Sequence, residues 1–153
     1  QTTQEKGANS SVKGVIDSYL QMKNALAADD DKQAAASGNE MLKVFAAFNY
    51  EGLTAQQSKV IKDITDDAKE HASHIGSNAG NIKHQREHFE SLSTDLYDLV
   101  KAAGTAGQTI YMDHCPMYNN NKGANWLSET KAIKNPYLGK DMPTCGIVKE
   151  ELK

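Results

Sequence analysis

The chain has 153 residues and a formal net charge of -3, long enough for one domain with a real core and short for two. With no basic footprint, nucleic acid and anionic membrane surfaces are poor partners. No apolar run approaches a membrane span, so no membrane insertion of the mature chain is expected. Residues 1–11 are polar and rich in Gly, Ser and Thr. They read as the flexible start of a mature chain whose targeting segment has been removed, which points to export.

Ser11 is the expected N-cap of a first helix, with Val12, Val15, Ile16, Tyr19, Leu20 and Leu26 recurring at helical spacing. Lys13, Asp17, Lys23 and Asn24 fall mainly on its other face. A second helix is expected from about Lys32 to Phe48, with Ala34, Gly38, Met41, Leu42, Phe45 and Phe48 inside. Thr54-Ala55-Gln56-Gln57 is a capping-box pattern. It opens a third helix striped by Val60 or Ile61, Ile64, Ala68, His71 and Ile75. Gly76-Ser77-Asn78-Ala79-Gly80 breaks the chain. A fourth helix runs from about Asn81 through Gln85, Phe89, Leu92, Leu96, Leu99 and Ala103, and Gly104 and Gly107 end it. Four such helices joined by short turns predict an all-α, antiparallel up-down four-helix bundle over residues 12–103. Residues 104–153 carry no sustained period and are rich in Asn, Gly and Pro, so an irregular C-terminal arm is expected, within one domain.

The arm holds the unusual chemistry. Both cysteines, Cys115 and Cys145, lie in it, with Met112, His114, Met117, Met142 and the only tryptophan, Trp126. Thiolate, thioether and imidazole at this density select a soft cation, Cu(I) above all. Cys115, Met117, Met142 and Cys145 are the candidate ligands, with His114 as an additional one and the Trp126 face as a shield over the ion. The bland alternative makes the methionines and Trp126 apolar anchors and joins the cysteines in a disulfide. That bond would close a loop of about 30 residues and stabilise the fold by roughly 3–4 kcal/mol.

A second constellation surrounds the third turn. If the hairpin folds about Ala79, His74 comes level with His84 and His71 with His88, while His84 and His88 share a face at i,i+4. Four imidazoles there suit Zn(II) or Cu(II); equally, exposed helical histidines are common, and His71 on the apolar stripe reads as a hydrogen-bonded core residue. An arm folded over this turn would merge the two sets. Catalytic patterns are lacking: Glu70 and Glu87 have no histidine three residues on, and there is no Cys-x-x-Cys, phosphate loop or Gly-x-Ser-x-Gly. An enzyme is not expected.

Cys-Pro-Met at 115–117, Trp-Leu-Ser at 126–128, Asn-Pro-Tyr at 135–137 and Met-x-x-Cys-Gly at 142–146 form a pattern, preceded by helical Gln85, Arg86, Phe89, Leu92 and Ser93. From about Val12 to its end the chain resembles a family of exported bacterial domains, formally of unknown function but described as heavy-metal or copper binding. These occur alone in periplasmic or lipid-anchored proteins, or appended to periplasmic adaptor subunits of heavy-metal efflux pumps. Nothing here looks like an adaptor's hairpin or lipoyl-like domain, so the stand-alone form is expected. The resemblance implies a helical bundle, an extracytoplasmic location and a metal-handling role. By ligand analogy, Trp126 beside Met and His also looks like the tryptophan-capped copper site of small periplasmic efflux chaperones.

The expectation is therefore a monomeric periplasmic protein that buffers Cu(I) or passes it to a heavy-metal efflux subunit by ligand exchange. Its rival is a non-metal interaction module of the cell envelope whose docking arm is stapled by a Cys115–Cys145 disulfide. A thiol redox sensor, with the Cys115 pKa depressed by His114, is a third reading.

Overall fold

The structure, a computed structural model, describes residues 7–153. Four long helices come first: α1 (Ala8–Ala27), α2 (Asp31–Ala46), α3 (Ala55–Gly76) and α4 (Ile82–Ala103). Local chemistry sets their ends. Asp30 accepts from the Gln33 N–H at 3.0 Å. Thr54 and Gln57 exchange both bonds of the capping box at 3.0 Å, and Asn81 accepts from the His84 N–H, each satisfying a donor the first turn leaves free. At the far end of α4, Gly104 supplies a positive φ of 91°.

The first helix begins before Ser11, whose hydroxyl instead accepts from the Asn49 N–H at 2.9 Å. The expected flexible start at 1–11 is thus helical from Ala8, and residues 1–6 lie outside the described part. Consecutive helices run antiparallel. Gly14 of α1 faces Val44 of α2, and Gly38 of α2 approaches the α3 backbone so closely that a Cβ would lie 2.8 Å from the Ala72 carbonyl. Val12, Val15, Ile16, Tyr19, Leu26, Met41, Ile61, Ile75, Phe89, Leu92, Leu96 and Leu99 fill the core. On α3, Val60 faces solvent, Ile64 and His71 are half-buried, and Ala72 joins Ile61, Ala68 and Ile75 inside.

The all-α expectation does not hold. Residues after the bundle form an antiparallel three-stranded sheet, β1 (Ile110–Cys115), β2 (Ala124–Ser128) and β3 (Ile147–Leu152), in the order β2-β1-β3. The irregular connections expected of the whole arm are confined to 104–109, 116–123 and 129–146, with short helical turns at Tyr118–Asn121 and Gly139–Asp141. The strands are short, and a bulge between Met112 and Asp113 breaks the β1 alternation. Their period of two was therefore too brief to read.

The second strand packs on α1 and α4. Tyr19 accepts from the Leu127 N–H at 2.9 Å, meets the Ser93 hydroxyl at 2.7 Å and stacks on Phe89. Lys23, expected on the outer face of α1, is wholly buried and pairs with Glu129 at 2.7 Å just past β2. A charge is tolerated inside because the pairing supplies what water no longer does. Burial pushes the Lys23 amine down from its ordinary range while Glu129 opposes. Burial likewise works against ionised Glu129, but Lys23 and Asn24 outweigh it and hold the carboxyl at about 2.

Candidate metal centres

The first strand, central in the sheet, ends at Cys115, fully buried, beside the loop that brings in half-buried Cys145. Their sulfurs lie 3.4 Å apart and unbonded. Because β1 and β3 pair with His114 opposite Ile147, a residue just before β3 must reach the end of β1. Asn135 fixes the approach from inside. Its amide donates to the Cys145 carbonyl at 2.7 Å, its N–H to the Pro143 carbonyl at 2.9 Å, and its Oδ1 accepts from the Tyr137 and Leu138 N–H groups. Gly146 lets this backbone lie against the Trp126 ring, where a Cβ would come within 2.9 Å. Burial raises the Cys145 thiol above its ordinary range, and neighbouring Cys115 adds to that; the Met117 N–H, bonded to it, acts the other way.

The other predicted donors of the arm are placed differently. Met117 and Met142 are 49% and 40% exposed, each beside one cysteine in the chain and carried by a solvent-facing loop. His114 turns away from Cys115, as adjacent strand residues do. Its Nδ1 lies 2.6 Å from Asn125 Oδ1 on β2, and its ring covers Gly123. Trp126 is fully buried, edge-on to Tyr137, and stands behind the Cys145 loop rather than out over it. Three successive left-handed residues, Asn119, Asn120 and Asn121, reverse the chain between β1 and β2, a conformation asparagine tolerates better than most side chains.

At the α3–α4 hairpin the four predicted histidines do meet. His71 Nδ1 lies 3.0 Å from His88 Nδ1, the His74 and His88 rings stack at 4.2 Å, and His84 stands edge-on to both. One nitrogen each from His74, His84 and His88 falls within 4.8 Å of the others. Burial first, then the neighbouring imidazoles His74, His84 and His71, lowers the His88 pKa and favours its neutral, ligating form. Gln85, fully buried, ties this end of α4 to the Ile75 and Asp31 carbonyls at 3.1 and 3.0 Å. No grouping of three such donors among the described residues joins a cysteine to these histidines.

Carboxylates that the sequence reading missed stand behind the imidazoles. Asp67 Oδ2 is 3.3 Å from His71 Nε2, Glu87 Oε1 is 3.4 Å from His84 Nδ1, and Asp95 lies near Asp67 and His71. Burial, then the adjacent Asp67, pushes the Asp95 carboxyl well above the usual carboxylate range. The i,i+4 spacing of Asp67 and His71 and the i,i+3 spacing of His84 and Glu87 were local signals for two of these. Asp95, between Leu92 and Leu96 on the inner stripe, gave none.

Residues 15–108 match a family of proteins of unknown function, DUF3347. The chain belongs to this family. The matched stretch covers the helical bundle from Val15 of α1 onward with all four clustered histidines, and ends before β1 and the cysteines. No curated protein and no solved structure matches the chain.

Proposed function

We propose that this DUF3347 protein is an extracytoplasmic metal-binding domain that holds Cu(I) between Cys115 and Cys145 and surrenders it by ligand exchange. The observation that carries the reading is the unbonded sulfur pair at 3.4 Å, one sulfur buried and the other half-open. Metal–thiolate bonds of roughly 2.3 Å can converge on one ion above such a pair. Coordination deprotonates a thiol outright, so the raised Cys145 pKa is no obstacle once the ion is bound. Met117 and Met142, exposed and two and three residues along the chain from Cys115 and Cys145, are the candidate further soft ligands, while His114, engaged with Asn125, stands outside the set. Open donors on a loop suit transfer, since an acceptor can replace them one at a time.

The resemblance of the tail motifs supports a periplasmic setting and a heavy-metal efflux subunit as the acceptor. No described helix is long and apolar enough to cross a membrane. The same sulfur proximity favours one rival, a disulfide that staples the loop to β1 in an interaction module.

Competition with a chromophoric Cu(I) chelator tests the proposal. Reduced protein should take up one Cu(I), and Cys115→Ser with Cys145→Ser should weaken binding at least ~100-fold while the helical circular dichroism stays intact. Unchanged affinity in that variant, or thiols that are blocked as isolated and indifferent to Cu(I), would reject copper binding in favour of the staple.

A further inference from the structure

We propose that His74, His84 and His88 form a second, independent site for a divalent borderline cation, Zn(II) or Cu(II), and that His71 positions His88 instead of ligating. This site goes beyond the sulfur reading and needs none of its atoms.

The roles follow from the proton inventory of the rings. A neutral imidazole has one donor nitrogen and one acceptor, and a carboxylate only accepts. Asp67, an ionic neighbour 3.3 Å from His71 Nε2, therefore favours the His71 proton on that nitrogen and Nδ1 as the acceptor. The 3.0 Å contact between the two Nδ1 atoms then requires His88 Nδ1 to donate. The His88 lone pair is left on Nε2. Glu87, 3.4 Å from His84 Nδ1, favours a proton on that nitrogen by its charge and so a lone pair on Nε2. Histidine ligands in metal sites regularly donate their second N–H to a carboxylate or another acceptor, which sets tautomer and orientation. His88 already has such a partner in His71, and Glu87 stands 3.4 Å from His84 to serve as one.

The triad must tighten by a modest amount. A tetrahedral ion with nitrogen bonds of about 2.0–2.1 Å needs donors roughly 3.3 Å apart, and one nitrogen of each ring now lies within 4.8 Å of one nitrogen of the other two. His74 is exposed and His84 is 36% exposed, so an ion can enter from solvent and the rings can turn. No fourth histidine, cysteine or carboxylate among the described residues completes that trio, because His71 is committed to His88. The fourth position is left for water or for a donor from another molecule, as in sites that exchange their ligand.

The test uses the full chain carrying Cys115→Ser and Cys145→Ser, so loss of the sulfur site cannot be mistaken for loss of this one. Titration with Co(II), displaced by Zn(II), should show one saturable site with the visible absorption of a tetrahedral ion. Cu(II) paramagnetic resonance should show three nitrogen donors. His84→Ala with His88→Ala should abolish the site, and so should His74→Ala, a change at an exposed position that spares the fold. His71→Gln should weaken binding 10–100-fold while the count of three nitrogens and the Co(II) band persist. Absence of a saturable site in the cysteine-free chain, or affinity unmoved by His74→Ala, would overturn the proposal. A drop to two nitrogens in His71→Gln would make His71 a ligand and overturn its positioning role.

Discussion

Lys23 shows how little a residue type says about its place. Its position on α1 suggested the solvent face, yet its side chain is fully buried and ends on Glu129. Removing one partner of such a pair strands the other charge, which typically costs more than the pair contributes when intact. Glu129→Gln should therefore destabilise the protein by ~3 kcal/mol near neutral pH. The sign with pH follows from the depressed carboxyl, held at about 2 against an ordinary 4.5. Its stabilisation is complete above pH 4.5 and is lost as pH falls toward 2. Urea unfolding of the two proteins should therefore differ at pH 7 and converge near pH 2; a constant gap would contradict the ion pair.

Among elements, α2 comes close to the α3 backbone at Gly38, where a methyl group would meet the Ala72 carbonyl at 2.8 Å. Although alanine is the better helix former, Gly38→Ala should lower stability by about 1–3 kcal/mol, because overpacking pushes one helix off the other. A rise in the thermal midpoint would show that α2 is free to shift. Helix positions were legible because their signals are local: apolar side chains three and four apart, the Thr54–Gln57 box, and glycines at 104 and 107. The meeting of His71 with His88 and His74 with His84 was legible too, since a hairpin about Ala79 dictates it. The strands were not. Their six, five and six residues, one interrupted by a bulge, find their stability in pairing partners up to 42 positions away, as Ile110 does in Leu152.

At the scale of the whole molecule, bundle and sheet share one core. Trp126 and Tyr137 come from the tail, Phe89 and Tyr19 from the helices, and all four are buried together. The Tyr137 hydroxyl donates to the Asn125 carbonyl and reaches Ser93 of α4, while Arg86 holds the Pro136 and Leu26 carbonyls at 2.7 Å. Helical circular dichroism and Trp126 fluorescence should therefore report a single cooperative transition. Two separated midpoints in guanidinium would mean the tail folds on its own.

Local periodicity and caps were enough to place four helices, and spacing alone nominated the sulfur and imidazole donors, because each of those signals acts within a few residues along the chain. Only the folded core decided that the tail is a sheet, that Cys115 meets Cys145 while His114 faces away, and that Asp95 stands near Asp67 and His71. Those outcomes depend on which distant surfaces exclude water together, a condition that no short window of sequence contains.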